Sequence, residues 1–224
     1  MKNLFFVIVL SLSFACKAQT EKELSIGKSY EITSGVLKEE REYYVYLPDD
    51  YDIDETKTYP VVYLLDAKIN FHSYTGLQQM LSRGRRGGVI PKMIVVGIVN
   101  TNRTRDLTPV KAKNLPKKFQ KNKKMLEESG GGEEFLKFLM SELRPEIEKK
   151  YRTSSPTTFV GHSFGGLTVL YTLLNYPNYF TNYLAIDPSI WWADEFLLGL
   201  AEENYQPQTS WENVYFFLLR TIII

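Results

Sequence analysis

The chain has 224 residues, with 44% hydrophobic and 24% charged content, which places it among ordinary globular proteins and excludes disorder, collagen and coiled coil. Twenty-seven Lys+Arg stand against 26 Asp+Glu, so no global bias points to nucleic acid or an anionic membrane. A single Cys excludes a disulfide framework and a Cys-based zinc site, and there are only two His, His72 and His162.

The chain opens on an address. Lys2 precedes an apolar run of 12 residues, 4–15 (LFFVIVLSLSFA). A bilayer-spanning helix needs about 20 residues, but this run fits the core of a secretory signal. Cys16 and Ala18 supply small residues at the −3 and −1 positions of a cut before Gln19. Residues 1–18 are therefore read as a signal peptide and 19–224 as one domain, exported to the periplasm or beyond. The alternative is a lipoprotein anchored at Cys16, although Ser13 stands where Leu or Val is usual. Cleavage after Ala18 leaves no Cys, which suits an oxidising compartment. No later segment is apolar and long enough to cross a membrane.

Beyond the leader, strands alternate with helices. Residues 42–47 (EYYVYL) alternate and end at Pro48. Residues 60–65 (PVVYLL) and 93–99 (MIVVGIV) are continuous apolar runs, as in strands buried on both faces. Residues 132–150 place Phe135, Leu139, Leu143 and Ile147 at i, i+4 spacing, with Pro145 kinking or restarting the helix. A short strand, 157–160 (TTFV), precedes an apolar helix over 167–175. Strands over 183–186 and 213–219 complete the set. The pattern predicts an α/β fold, a mostly parallel sheet with helices on both faces.

One segment carries chemistry. Gly161-His162-Ser163-Phe164-Gly165 matches G-x-S-x-G, and it lies between a predicted strand and a predicted helix. Small residues two before and two after let strand and helix pass closely, while the central residue takes a strained turn. Ser163 would stand at the carboxyl edge of the sheet as a nucleophile. The helix N-terminus would aim free N–H groups, that of Phe164 first, at a developing oxyanion. The loop after 60–65, beginning Asp66-Ala67-Lys68, should supply the second donor.

These residues resemble the esterase D-like, or enterochelin-esterase-like, family of α/β-hydrolases. The likeness rests on Tyr44-Val45-Tyr46-Leu47-Pro48, residues 59–66 (YPVVYLLD), Phe71-His72, Arg105-Asp106-Leu107-Thr108-Pro109, residues 161–166 (GHSFGG), Asp187-Pro188-Ser189 and Trp191-Trp192. It runs in order from about residue 28 to 217. The resemblance implies an α/β-hydrolase fold and hydrolysis of carboxylic esters or thioesters by a Ser-His-Asp/Glu triad, without metal or cofactor. It implies Ser163 as nucleophile, and the N–H groups of Phe164 and of Ala67 or Lys68 as oxyanion hole. Asn70, His72, Trp191 and Trp192 would line the substrate pocket. Ala67 is a departure, because the family often has Gly there.

The triad is where the pattern breaks. In this fold the order is Ser, acid, His, yet no His follows Ser163. His162 is adjacent, points away, and is expected to pack behind the turn. His72 belongs to the substrate loop. In the family the acid follows the strand at 213–219 and the His comes later, whereas this sequence reads Arg220-Thr221-Ile222-Ile223-Ile224. The sequence looks cut short, lacking acid, base, and the C-terminal strand and helix. Loss of a triad member forfeits on the order of a million-fold in the best-studied serine protease. Two functions stand: an esterase acting on a small-molecule ester (siderophore, feruloyl or small acyl), nearly inactive as this polypeptide, or a non-catalytic binding or residual protein on the same scaffold.

Other features read more plainly. Lys111, Lys113, Lys117, Lys118, Lys121, Lys123 and Lys124 form either a solvated insertion or a lid attracting an anionic substrate. Residues 129–132 (SGGG) lack the Lys of a phosphate loop and read as a hinge and helix start. Arg105-Asp106 reads as an ion pair shaping a turn.

Overall fold

Runs of Val, Ile and Tyr set a six-stranded sheet; the computed structural model describes residues 24–83 and 88–204. Strands β1 (Lys28–Ser34) and β2 (Glu39–Tyr46) form an antiparallel hairpin at one edge. Strands β3 (Tyr59–Leu64), β4 (Ile94–Ile98), β5 (Thr153–His162) and β6 (Asn182–Ile186) run parallel to one another. The order is β1-β2-β4-β3-β5-β6, with β2 antiparallel to β4. The chain thus has the expected α/β architecture, with a hairpin added to the parallel core. Strand β1 (KSYEITS) escapes sequence reading because it is an edge strand, mostly exposed and polar.

Both faces are covered. In β3, Val62 and Leu64 point to one side and Val61 and Tyr63 to the other, and all four are buried. Helix α1 (Ala67–Ser82) covers the first side, with Ala67 and Phe71 packed among Val62, Val95 and Val160. Gly97 makes this approach fit: a Cβ there would lie 2.7 Å from Phe71 Cδ2 and 2.8 Å from Ala67 Cβ. Residues 67–72, expected as a loop, are therefore the first turns of a helix.

The second side carries the larger core. Two short helices lead into it, α2 (Arg103–Leu107) and α3 (Lys123–Glu128), with a 3₁₀ turn at Lys117–Phe119 between them. Helix α4 (Gly132–Phe138) continues through a π-helical turn, Leu139–Leu143, into α5 (Arg144–Lys150). The wide turn comes just before Pro145, which cannot donate a backbone hydrogen bond and crowds the preceding carbonyls, so the helix restarts where the proline pattern predicts. Phe135, Leu139, Leu143 and Ile147 are all fully buried. Helix α6 (Phe164–Asn175) packs against β5 and β6, and α7 (Phe196–Asn204) closes the described chain. The leader, Cys16 and the strand expected at 213–219 lie outside the described residues. Among the described residues no helix is long and apolar enough to cross a membrane.

Candidate active site

Strand β5 turns into α6 at Ser163, which holds φ 57° and ψ −114°. A residue with a Cβ occupies that region at a cost of about 1–3 kcal/mol, so the surroundings must fix it. They do so through the backbone. Ser163 N–H donates to Ile186 O at 3.0 Å, and Ser163 O accepts from Leu167 N at 2.9 Å and Ser189 N at 3.1 Å. The glycines are steric requirements. A Cβ on Gly161 would sit 2.4 Å from the backbone C and O of Gly165, and one on Gly166 would meet Pro188 Cα at 3.0 Å. The turn after β6 therefore buttresses the turn that carries Ser163.

Ser163 is half-buried, and its Oγ lies 3.1 Å from Ser189 Oγ. Among the described residues this is its one side-chain partner; no imidazole and no carboxylate hydrogen-bonds it. The N–H of Phe164 at the start of α6 engages no acceptor among the described residues, and neither do those of Ala67 and Lys68 at the start of α1. Two helix N-termini thus present unclaimed donors, which favour negative charge.

The α1 side is held by a polar cluster that sequence reasoning missed. Asp66 caps the helix in the left-handed region, φ 58° and ψ 42°, and makes no capping bond with its side chain. Its buried carboxylate instead accepts from Asn100 Nδ2 at 2.5 Å, Arg103 Nε at 2.7 Å and Arg103 Nη2 at 2.9 Å. The same Arg103 Nη2 donates to His162 O at 3.4 Å, and its guanidinium lies 5.4 Å from the Phe164 ring centre. Arg103 therefore bridges the two helix starts. The available signal was an Asp directly after a buried strand, but its partners are 34 and 37 residues away.

Behind Arg103 lies a second ionic network. Arg105 and Asp106 pair as expected, at 2.9 Å, and the Asp106 and Glu39 carboxylates link Arg105 to Arg41, which is fully buried and reaches Asp106 at 2.7 Å and Val99 O at 3.0 Å. The Arg105 hydrogen bond holds the Glu39 carboxyl below its ordinary value of 4.5, against the opposing effect of burial. This network fixes α2 to the sheet and so places Arg103.

The other sequence-predicted residues fall in several different places. Asn70 and His72 are two residues apart on α1, hence about 200° apart around the helix. Asn70 lines a groove with Tyr74, Leu77, Val160 and His162, while His72 lines another with Glu42 and Tyr44. His162 is exposed in that first groove rather than packed behind the turn. Lys68 is exposed, 3.7 Å from Glu42. Trp192 is wholly buried, edge-on to Phe164, with Nε1 donating to Val110 O at 2.9 Å; it is core rather than pocket wall, because its N–H and both faces are already used. Trp191 is half-buried, 5.8 Å from the Phe164 ring. Among the described residues no cluster of three or more His, Cys, Asp or Glu is placed to hold a metal ion.

A strained serine between a parallel strand and an apolar helix, in a molecule with free amides at two helix starts, invites comparison with known hydrolases. The family model described as "Putative esterase" matches residues 34–216. The chain belongs to this esterase family. It is 36% identical over 188 residues to the ferri-bacillibactin esterase BesA of Bacillus subtilis, covering 75% of this chain and 63% of that protein. It is 32% identical over 151 residues to a siderophore enterobactin esterase of Emericella nidulans, covering 63% and 50%. In structure it is similar to an IroE-like serine hydrolase of Shewanella oneidensis, 41% identical, with a TM-score of 0.74 over 80% of this chain and 55% of that one. The chain thus spans about half to under two thirds of the length of these relatives.

Proposed function

We propose that the site is that of a serine ester hydrolase, with Ser163 as nucleophile and the N–H groups of Phe164 and of Ala67 or Lys68 as oxyanion donors. The observation that carries this reading is the backbone of Ser163. A φ of 57° is costly for serine, and such a turn at the start of α6 is what a nucleophile beside unpaired helix-start N–H groups requires. In the reaction, Oγ would add to an ester carbonyl, the carbonyl oxygen would gain charge, and these donors would hold it. The relatives named as siderophore esterases support a siderophore-type ester as substrate class. We further propose that residues 1–18 export the chain to the periplasm or beyond, with a lipid anchor at Cys16 as the alternative.

The base is the difficulty. The chain has two His, and among the described residues neither hydrogen-bonds Ser163, whose Oγ meets Ser189 Oγ instead. We therefore propose that these 224 residues by themselves hydrolyse esters at no more than a small residual rate; the second reading, a scaffold that binds without turnover, rests on the same observation. A fluorophosphonate probe tests the pair. Slow labelling confined to Ser163, and abolished in Ser163→Ala, is expected. Fast labelling would show a base at work and overturn the residual-rate reading. Labelling that survives Ser163→Ala would overturn the nucleophile.

A further inference from the structure

Seven of the 27 Lys+Arg fall between residues 111 and 124, and none of the 26 Asp+Glu does. All seven lysines are exposed. Among the described residues only Lys124 has an acidic partner, Glu128 at 3.5 Å. A charge run of this kind is ordinarily just a solvated face. Two features set this one apart. The segment is docked: Ala112 and Leu115 are buried, and Val110 O receives the indole N–H of Trp192. Moreover, Phe119, set among Lys117, Lys118 and Lys121, stacks on Trp191 at 4.9 Å and 18°, and Trp191 lies 5.8 Å from Phe164, the residue after Ser163. Two ring-to-ring steps thus join the lysines to the strained turn.

The distance matters. At physiological salt the field of exposed charge decays over about 8 Å, so a basic patch acts on a ligand seated directly on it and serves a neighbouring site only when that seat is fixed within the ligand's own span. Here aromatic stacking does the holding. We propose that Lys117, Lys118 and Lys121 form a docking platform for a polyanionic ester, held beside Ser163 by the Phe119–Trp191 stack. The proposal deepens the ester-hydrolase reading and rests on it for the word ester. Unpaired ammonium groups on flexible stems suit several separated negative charges on one rigid body better than a single carboxylate, which one bidentate arginine would serve.

The test uses 8-acetoxypyrene-1,3,6-trisulfonate, a trianionic aryl ester, and the neutral ester 1-acetoxypyrene, each titrated by calorimetry into the full chain carrying Ser163→Ala. The trianion is expected to bind about tenfold or more tighter at low salt and to lose that advantage as salt rises to about 0.5 M. Replacing Lys117, Lys118 and Lys121 by Gln should bring it to the affinity of the neutral ester. Phe119→Ala, which keeps every charge, should weaken it as well, because the platform loses its anchor. Equal affinity for both esters, or a trianion indifferent to the three Gln substitutions, would overturn the platform. So would lysine-dependent cosedimentation with phosphatidylglycerol vesicles without trianion binding. Fluorophosphonate labelling of Ser163 in the triple Gln variant separates the two ideas: it reports the nucleophile whatever the lysines do.

Discussion

Ser163 and Gly161 divide one steric problem between them. Serine at φ 57° is strained by its Cβ, whereas glycine is at ease there. Ser163→Gly is therefore expected to be more stable than Ser163→Ala by about 1 kcal/mol, read from urea midpoints. Identical midpoints would mean that the turn is unstrained. Gly161→Ala should do the opposite, because its new methyl would sit 2.4 Å from the Gly165 backbone; a loss of about 3 kcal/mol is expected by the same measurement. Asp66→Ala should cost about 1–2 kcal/mol, since Arg103, itself partly exposed, loses its bidentate partner. The serine was legible because its neighbours are small at fixed local spacing. Asp66 and Arg103 were not, because their pairing exists only once the loops after β3 and β4 are brought together.

At the scale of elements, α1 and α2 show what local patterns omit. Residues 67–72 (AKINFH) follow an Asp whose side chain makes no capping bond, and the helix they begin lies close on the sheet because Gly97 leaves room for Ala67 and Phe71. Helix α2 has five residues, and it is held by Arg41, Glu39, Asp106 and Arg105 rather than by its own propensity. Because the Glu39 carboxyl is depressed in the fold, the stability it adds is present above its unfolded pKa of about 4.5 and disappears as pH falls through the lower folded value. Thermal melts between about pH 6 and pH 3 should therefore fall less steeply for Glu39→Gln than for the parent chain. Parallel curves would show that Glu39 contributes nothing to acid sensitivity.

Across the whole molecule, β3 and β5 bury side chains on both faces, so neither core can form without the sheet. Tryptophan fluorescence of a Trp211→Phe variant, which reports the Phe164–Trp191–Trp192 side, and far-ultraviolet circular dichroism should therefore trace one common urea transition. Two separated midpoints would show that the α1 side and the α6 side unfold independently.

The sequence by itself determined the fold class, the strand–turn–helix around Ser163 and the restart of the helix near Pro145, since each follows from apolar periodicity or from sterics within a few residues. Only the tertiary structure decided that Asn70 and His72 face different grooves, that Trp192 belongs to the core, and that Phe119 of the lysine-rich segment stacks on Trp191. Those outcomes depend on helix phase and on contacts between residues many positions apart, and no local pattern carries that information.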